Sequence, residues 1–124
     1  MMDMDHTIDI FRMLSDESRL RLLILLSYQP LCVCQLSEIM EKTQPAISSH
    51  LAKLRANGLV AYDKHGQWVF YHLKYDNEVL DLLLKYLVHN RTSFPTLEKD
   101  RAAYDSVVRG DTKCQHGIGV KNDE

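Results

Sequence analysis

Residues 43–73 read TQPAISSHLAKLRANGLVAYDKHGQWVFYHL, and a change of period inside this stretch decides the fold. The first half repeats as a helix. Thr43 can cap it, Pro45 suits a first turn, Ile47, Leu51 and Leu54 fall on one face, and Gly58 ends it. The second half, "LVAYDK" and "QWVFYHL", is rich in β-branched and aromatic residues around His65-Gly66, the pattern of a hairpin.

Working outward, "CVCQLSEIM" puts Val33, Leu36 and Met40 on one face of a shorter helix, joined to the strong one by the brief turn "EKT". Pro30 separates it from "SDESRLRLLILLSY", a leucine-rich helix with Ser15 and Asp16 as capping candidates. "HTIDIFRML" is a first helix carrying Ile8, Phe11 and Leu14 at helical spacing. Downstream, "NEVLDLLLKYLVH" is apolar around much of its circumference, so it needs burial on more than one side. A last helix restarts after Pro95. The expected fold is mainly α with a β-hairpin wing (α+β), a winged helix-turn-helix. Residues 1–92 are expected to form the DNA-binding and dimerisation domain, 93–109 an additional helix, and 110–124 a polar, flexible tail.

The charge distribution fits a polyanion. From Lys42 to Lys74 five basic residues face Asp63 alone, a balance of +4, whereas the remainder has ten basic and sixteen acidic residues, a balance of −6. One basic surface on an acidic chain predicts a local contact with nucleic acid. On the strong helix, Ser49, Ala52, Lys53 and Ala56 lie opposite the apolar stripe with Ser48 at the flank, where short side chains let a helix enter a major groove and a lysine reach phosphate. Gln44 sits at the helix start, within reach of a base edge. Lys64 and His65 flank the hairpin tip as phosphate or minor-groove contacts. His50 is nearer the apolar side and is either structural or a backbone contact. Two recognition helices related by a two-fold axis read a palindrome, so double-stranded operator DNA and a homodimer are the expected partners. Ile8, Phe11, Leu80, Leu83, Leu84 and Leu87 are the candidate dimer interface.

The N-terminus "MMDMDHTIDI" has neither a basic n-region nor an apolar h-region, and "LRLLILLSY" is too short to span a bilayer. A cytoplasmic protein with no membrane partner is expected. In a reducing compartment three cysteines do not form a disulfide framework, so Cys32 and Cys34, one residue apart, point to metal binding or redox chemistry. With Cys32 as N-cap, Gln35 falls at N3, and "CVCQ" has the layout of a capping box with a thiol in place of a hydroxyl. Both sulfurs then lie near the positive end of a helix dipole, which favours thiolates. Residues two apart in a helix point about 200° from each other. The non-helical N-cap geometry of Cys32 is what lets the pair share one ion. An enzyme is not expected, because neither cysteine has a visible orienting group or substrate loop.

Together "MLSDESRLRLLILL", "LCVCQLSEIM", "TQPAISSHLAKLRANGLV" and "GQWVFYHL" resemble the ArsR/SmtB family of metal-responsive repressors, and within it the arsenical-sensing branch. The resemblance covers roughly residues 8–75. It implies a dimeric repressor that sits on its operator and leaves when a thiophilic ion binds. The implied inducer is trivalent arsenic (arsenite or methylated arsenite) or antimonite, with no organic cofactor. The arsenical pattern often continues to a third cysteine, where this chain has Ser37. Cys114 on the tail is therefore the candidate third ligand, or the site uses two thiols. Cys114 with His116 also leaves open a cadmium, lead or zinc sensor, and Cys32 or Cys34 with Cys114 leaves open a thiol redox or persulfide sensor. Asp76, Glu78 and His89 mimic the family's zinc site on the dimer helix one residue out of register, and Thr92 replaces its last acid, so that match is read as coincidence.

Overall fold

The structure, a computed structural model, describes residues 3–74 and 76–110. Its helices are α1 (Met4–Leu14), α2 (Glu17–Tyr28), α3 (Val33–Met40), α4 (Gln44–Ala56), α5 (Glu78–His89) and α6 (Pro95–Arg109). Its strands are β1 (Leu31–Cys32), β2 (Val60–His65) and β3 (Trp68–Leu73), and a single 3₁₀ turn, Arg91–Ser93, precedes α6.

Four helix starts are capped by a side chain. Asp3, Asp16, Thr43 and Asn77 accept the orphan backbone N–H groups of His6, Arg19, Ala46 and Leu80 at 2.7, 3.0, 3.3 and 2.9 Å. α2 is the centre of the molecule, with Leu22 through Leu26 buried all round. It touches α1, α4, α5, α6 and β3, which explains why its sequence is apolar with little sidedness. The expected inward stripe of α4 is confirmed, since Ile47, Leu51 and Leu54 are all fully buried.

The sheet is antiparallel in the order β1-β3-β2. In the hairpin His65 pairs with Trp68, so the turn is Gly66-Gln67 and His65 is the last residue of β2, one place later than the sequence suggests. Gly66 has φ 64°, which an L side chain resists. β1 was not legible in the sequence. It is two residues long, and it pairs Leu31 with Tyr71 and Cys32 with Phe70. The strand thereby fixes the backbone of Cys32 to the middle of β3, the inner strand of the wing.

α6 is part of the same core, not an appendage. Leu97, Tyr104 and Val107 are buried in it, and the helix packs on α2 and α3. Asp100, 4% exposed, takes both Nε and Nη2 of Arg21 at 2.8 Å. Tyr104 donates to Gln29 Oε1 at 3.0 Å, and Arg101 lies over the Tyr28 and Tyr104 rings at 4.5 and 5.1 Å.

On α5 the burial is one-sided. Leu80 and Leu84, expected at a dimer interface, are 2% and 3% exposed within the subunit itself, because they face α2. The outward ridge is Leu82 and Tyr86, 69% and 62% exposed, with Leu83 and Leu87 half-buried beside it. Ile8 and Phe11 on α1 are exposed. Among the described residues no helix is long and apolar enough to cross a membrane. The tail expected at 110–124 lies, beyond Gly110, outside the described residues.

Candidate thiol site and nucleic-acid interface

The candidate nucleic-acid face follows from the packing of α4. With Ile47, Leu51 and Leu54 turned inward, Gln44, Ser48, Ser49, Ala52 and Lys53 are exposed together. Lys64 and His65 are exposed at the end of β2. Arg55, in the last turn of α4, stacks its guanidinium 5.0 Å from the Tyr62 ring and ties the helix to the wing, a contact with no sequence signature. His50 is half-buried, and its Nδ1 is buried with no hydrogen-bond partner among the described residues. Its ring lies near the start of α2. There the Arg19 N–H bonded to Asp16 holds that carboxyl below its ordinary range, against partial burial, and the charges of Arg19 and His50 act in the same sense.

The thiol site lies at the junction of β1 and α3. Cys32 is the N-cap, with extended backbone at φ −91° and ψ 167°. The capping box is formed: Gln35 Oε1 accepts the Cys32 N–H at 3.0 Å, and the Gln35 N–H points back at the Cys32 sulfur. Gln35 is itself 2% exposed, so this exchange satisfies polar groups that water does not reach. Cys32 is 3% exposed. Here the expected effect of the helix dipole is overridden. Burial pushes the Cys32 thiol above its ordinary pKa, although the N–H groups of Gln35, Cys34 and Cys32 itself pull the other way. Cys32 is therefore a thiol, not a thiolate, at neutral pH.

Cys34 is one place into the helix and half-buried. It lines a cleft of about 530 Å³ whose opposite wall is α6, through Ala103 and Val107. The same cleft runs past Ser37 and Glu41 to Gln44, the first residue of α4. One hollow thus touches both a candidate ligand and a candidate DNA contact. Ser37 is not a vacant ligand position. Its hydroxyl donates to the Lys42 carbonyl, and its own carbonyl accepts the Lys42 N–H at 3.2 Å. Glu41, between them, is left-handed at φ 56°. Cys32 is a free cysteine. Cys114 and His116 lie outside the described residues. Among the described residues no group of three or more His, Cys, Asp or Glu side chains is placed to hold a metal ion.

A helix presented by a short turn, packed on a helical core beside a two-stranded wing, defines a winged helix-turn-helix protein. Residues 16–62 match the model of the bacterial regulatory proteins of the arsR family. The chain is 48% identical over 67 residues to the arsenical resistance operon repressor of Escherichia coli (strain K12), covering 53% of this chain and 57% of that protein. It therefore spans little more than half of that relative. It is 36% identical over 83 residues to a cadmium resistance transcriptional regulatory protein CadC homolog of Staphylococcus aureus, covering 66% of this chain and 68% of that one. Among solved structures, HlyU from Vibrio cholerae N16961 superposes with a TM-score of 0.62 at 33% identity, over 69% of this chain and 94% of that one. The chain belongs to the arsR family.

Proposed function

We propose that the chain is a transcriptional repressor that binds operator DNA as a homodimer and is released when trivalent arsenic or antimony binds Cys32 and Cys34. The observation that carries this reading is the cleft in which Cys34 and Gln44 share a wall, with Cys32 capping the helix that joins them. Gln44, Ser48 and Ser49 read base edges, Lys53, Lys64 and His65 hold phosphates, and His50 contributes mainly by packing against the start of α2. Relatives named for arsenic resistance support the choice of inducer.

The chemistry is a condensation on the reduced chain. Arsenous acid, As(OH)₃, exchanges two hydroxides for two sulfurs; each thiol proton leaves with a hydroxide as water, and no redox change is needed. Cys32 is held by the β1–β3 pairing and by its capping box, whereas Cys34 is helical. The extended N-cap backbone of Cys32 lets its sulfur turn toward that of Cys34, and closing both onto one arsenic pulls on the first turn of α3. That distortion runs along a helix of eight residues into the turn before α4. Cys114 is the proposed third sulfur, with a small cellular thiol as its substitute. Ile8, Phe11, Leu82, Leu83, Tyr86 and Leu87 form the proposed dimer surface.

One observation favours a second reading. Two cysteines at one helix start, Cys32 as the N-cap and Cys34 in the first turn, suit a thiol redox sensor, in which an oxidant such as peroxide or polysulfide removes two electrons and two protons from a thiol pair. A cadmium, lead or zinc sensor is a third reading, supported by the cadmium-resistance relative. Titrating reduced, operator-bound protein with arsenite, antimonite, cadmium and polysulfide separates the three. Release at the lowest concentration by arsenite or antimonite, lost in Cys32→Ser, is the expected result. Unchanged release in Cys114→Ser would show that the tail sulfur is not a ligand.

A further inference from the structure

The cleft holds a device that the two cysteines do not explain. Ser37 follows Cys34 by three residues, so both side chains project from the same side of α3, and both line the cleft. Ser37 grips the peptide of Lys42 from both ends, its carbonyl taking the Lys42 N–H and its hydroxyl giving a hydrogen bond to the Lys42 carbonyl. The next residue, Thr43, is the N-cap of α4. Of the two bonds only the hydroxyl's depends on the side chain, so Ser37 Oγ is the side-chain tie between α3 and the residue before the N-cap of α4.

The turn in between has a reason to move. Glu41 adopts φ 56° and ψ 44°, a conformation disfavoured for a residue with a Cβ and commonly left to glycine or asparagine at a helix end. A strained turn persists only while its surroundings hold it. The Ser37 hydroxyl supplies such a hold. When it is lost, both the Lys42 carbonyl and the left-handed Glu41 are freer to rearrange.

We propose that Ser37 is the positioning residue that couples thiol ligation to DNA release: its hydroxyl fixes the start of α4 in the DNA-reading pose and transmits a displacement at Cys34 to it. The inference rests on the reading that the inducer is captured at Cys34, and it adds a role for a residue that is neither a ligand nor a DNA contact. Ligation that distorts the first turn of α3 shifts Ser37, the Lys42 carbonyl loses its donor, and Gln44 moves with the turn. Without the hydroxyl, the same ligation stays confined to α3.

The test compares the full chain with Ser37→Ala, Ser37→Thr and the double variant Ser37→Ala/Glu41→Gly. A phosphine reductant is used, since dithiols compete for arsenic. Operator affinity is read by fluorescence anisotropy with and without saturating arsenite, and arsenite binding by the ultraviolet sulfur–arsenic absorption. In Ser37→Ala the arsenite-induced loss of operator affinity is expected to shrink at least about tenfold relative to wild type, a loss of about 1.4 kcal/mol of coupling. Arsenite affinity itself stays within about threefold. Ser37→Thr, which keeps the hydroxyl, restores the full effect. The double variant relieves the left-handed strain, so it recovers stability and operator affinity but not the response to arsenite.

A Ser37→Ala chain with the wild-type response overturns the proposal. So does a double variant in which glycine alone restores the response, because Ser37 would then only stabilise the turn. If arsenite leaves wild-type operator affinity unchanged, the inducer assignment fails. The coupling is then read with methylmercury, which takes a single thiol, in a Cys32→Ser background. It falls if methylmercury has no effect there, or if its effect survives Ser37→Ala.

Discussion

Replacing Asp100 by alanine tests whether α6 is a structural wall of the thiol cleft. The carboxylate accepts two hydrogen bonds of 2.8 Å from the Arg21 guanidinium, and the two side chains are 15% and 5% exposed for Arg21 and Asp100. Bonding to Asp100 raises the Arg21 pKa and outweighs burial; without Asp100 the guanidinium still keeps its charge, because its intrinsic pKa lies far above neutrality. Alanine therefore leaves a guanidinium in a mostly dry setting without its partner. Removing one member of a buried pair costs about 3–5 kcal/mol. The residual exposure of Arg21 lets some water in and places the expected loss near the lower end, about 3 kcal/mol. For a chain of this size that corresponds to a fall of roughly 10–15 °C in melting temperature.

The assay is equilibrium unfolding in urea, which leaves ion pairs unscreened where guanidinium salts would not. A double-mutant cycle with Arg21→Met isolates the pair, and Asp100→Leu/Arg21→Met is expected to recover most of the lost stability, because an apolar replacement leaves no orphaned charge. The loss also reaches function. Ala103 and Val107 reach the cleft from the helix that Asp100 anchors, so Asp100→Ala weakens the arsenite response more than it weakens operator binding. A stability change below about 1 kcal/mol with no coupling in the cycle would refute the anchoring role.

Other consequences are simpler to read. Lys53→Ala should weaken operator binding across sequences and lower the salt dependence by about one unit per protomer, measured by anisotropy at several ionic strengths. Leu82→Asp, on the exposed ridge of α5, should shift the sedimentation profile toward monomer and reduce operator affinity with it; an unchanged dimer would exclude that ridge as the interface. Because burial raises the Cys32 pKa, this sulfur is protonated throughout the neutral range, and a divalent cation must expel its proton. Cadmium affinity should then rise about tenfold per pH unit for each proton released between about pH 6 and 8. Arsenite affinity should stay flat over that window, since the proton leaves as water.

The fold was legible where burial and backbone chemistry point the same way. α4 declared itself because a capping threonine, a first-turn proline and three inward residues agree, and the wing did so because its composition changes abruptly at Leu59. α2 and α5 are both leucine-rich, yet α2 has almost no sidedness and is buried all round, whereas α5 is sided and exposes Leu82 and Tyr86. Counting leucines hides that difference; their spacing carries it. β1 stayed hidden because two residues carry no period, and its existence depends on Tyr71 and Phe70, some forty residues away, offering a ladder.

The site divides along the same line. "CVCQ" announced a capping box because that motif is local, requiring only residues i and i+3, and the structure forms it. Thiol acidity was misjudged because it is not local. The helix dipole is written in the sequence, whereas desolvation of Cys32 depends on what covers it, and desolvation is the larger effect. Ser37 was noticed only as a missing thiol. Its two bonds to Lys42 and the left-handed Glu41 follow from how the chain leaves α3, and a serine near a helix end has many other uses. A buried, protonated first sulfur and a stapled turn belong to one logic. A thiol that stays neutral costs less to keep in the core than a thiolate, and it still condenses with a neutral hydroxide such as arsenous acid. A divalent ion must first drive the proton out of the same setting. On the proposed reading, selectivity for a metalloid follows from the burial of Cys32, and the response to it from the residues that tie α3 to α4.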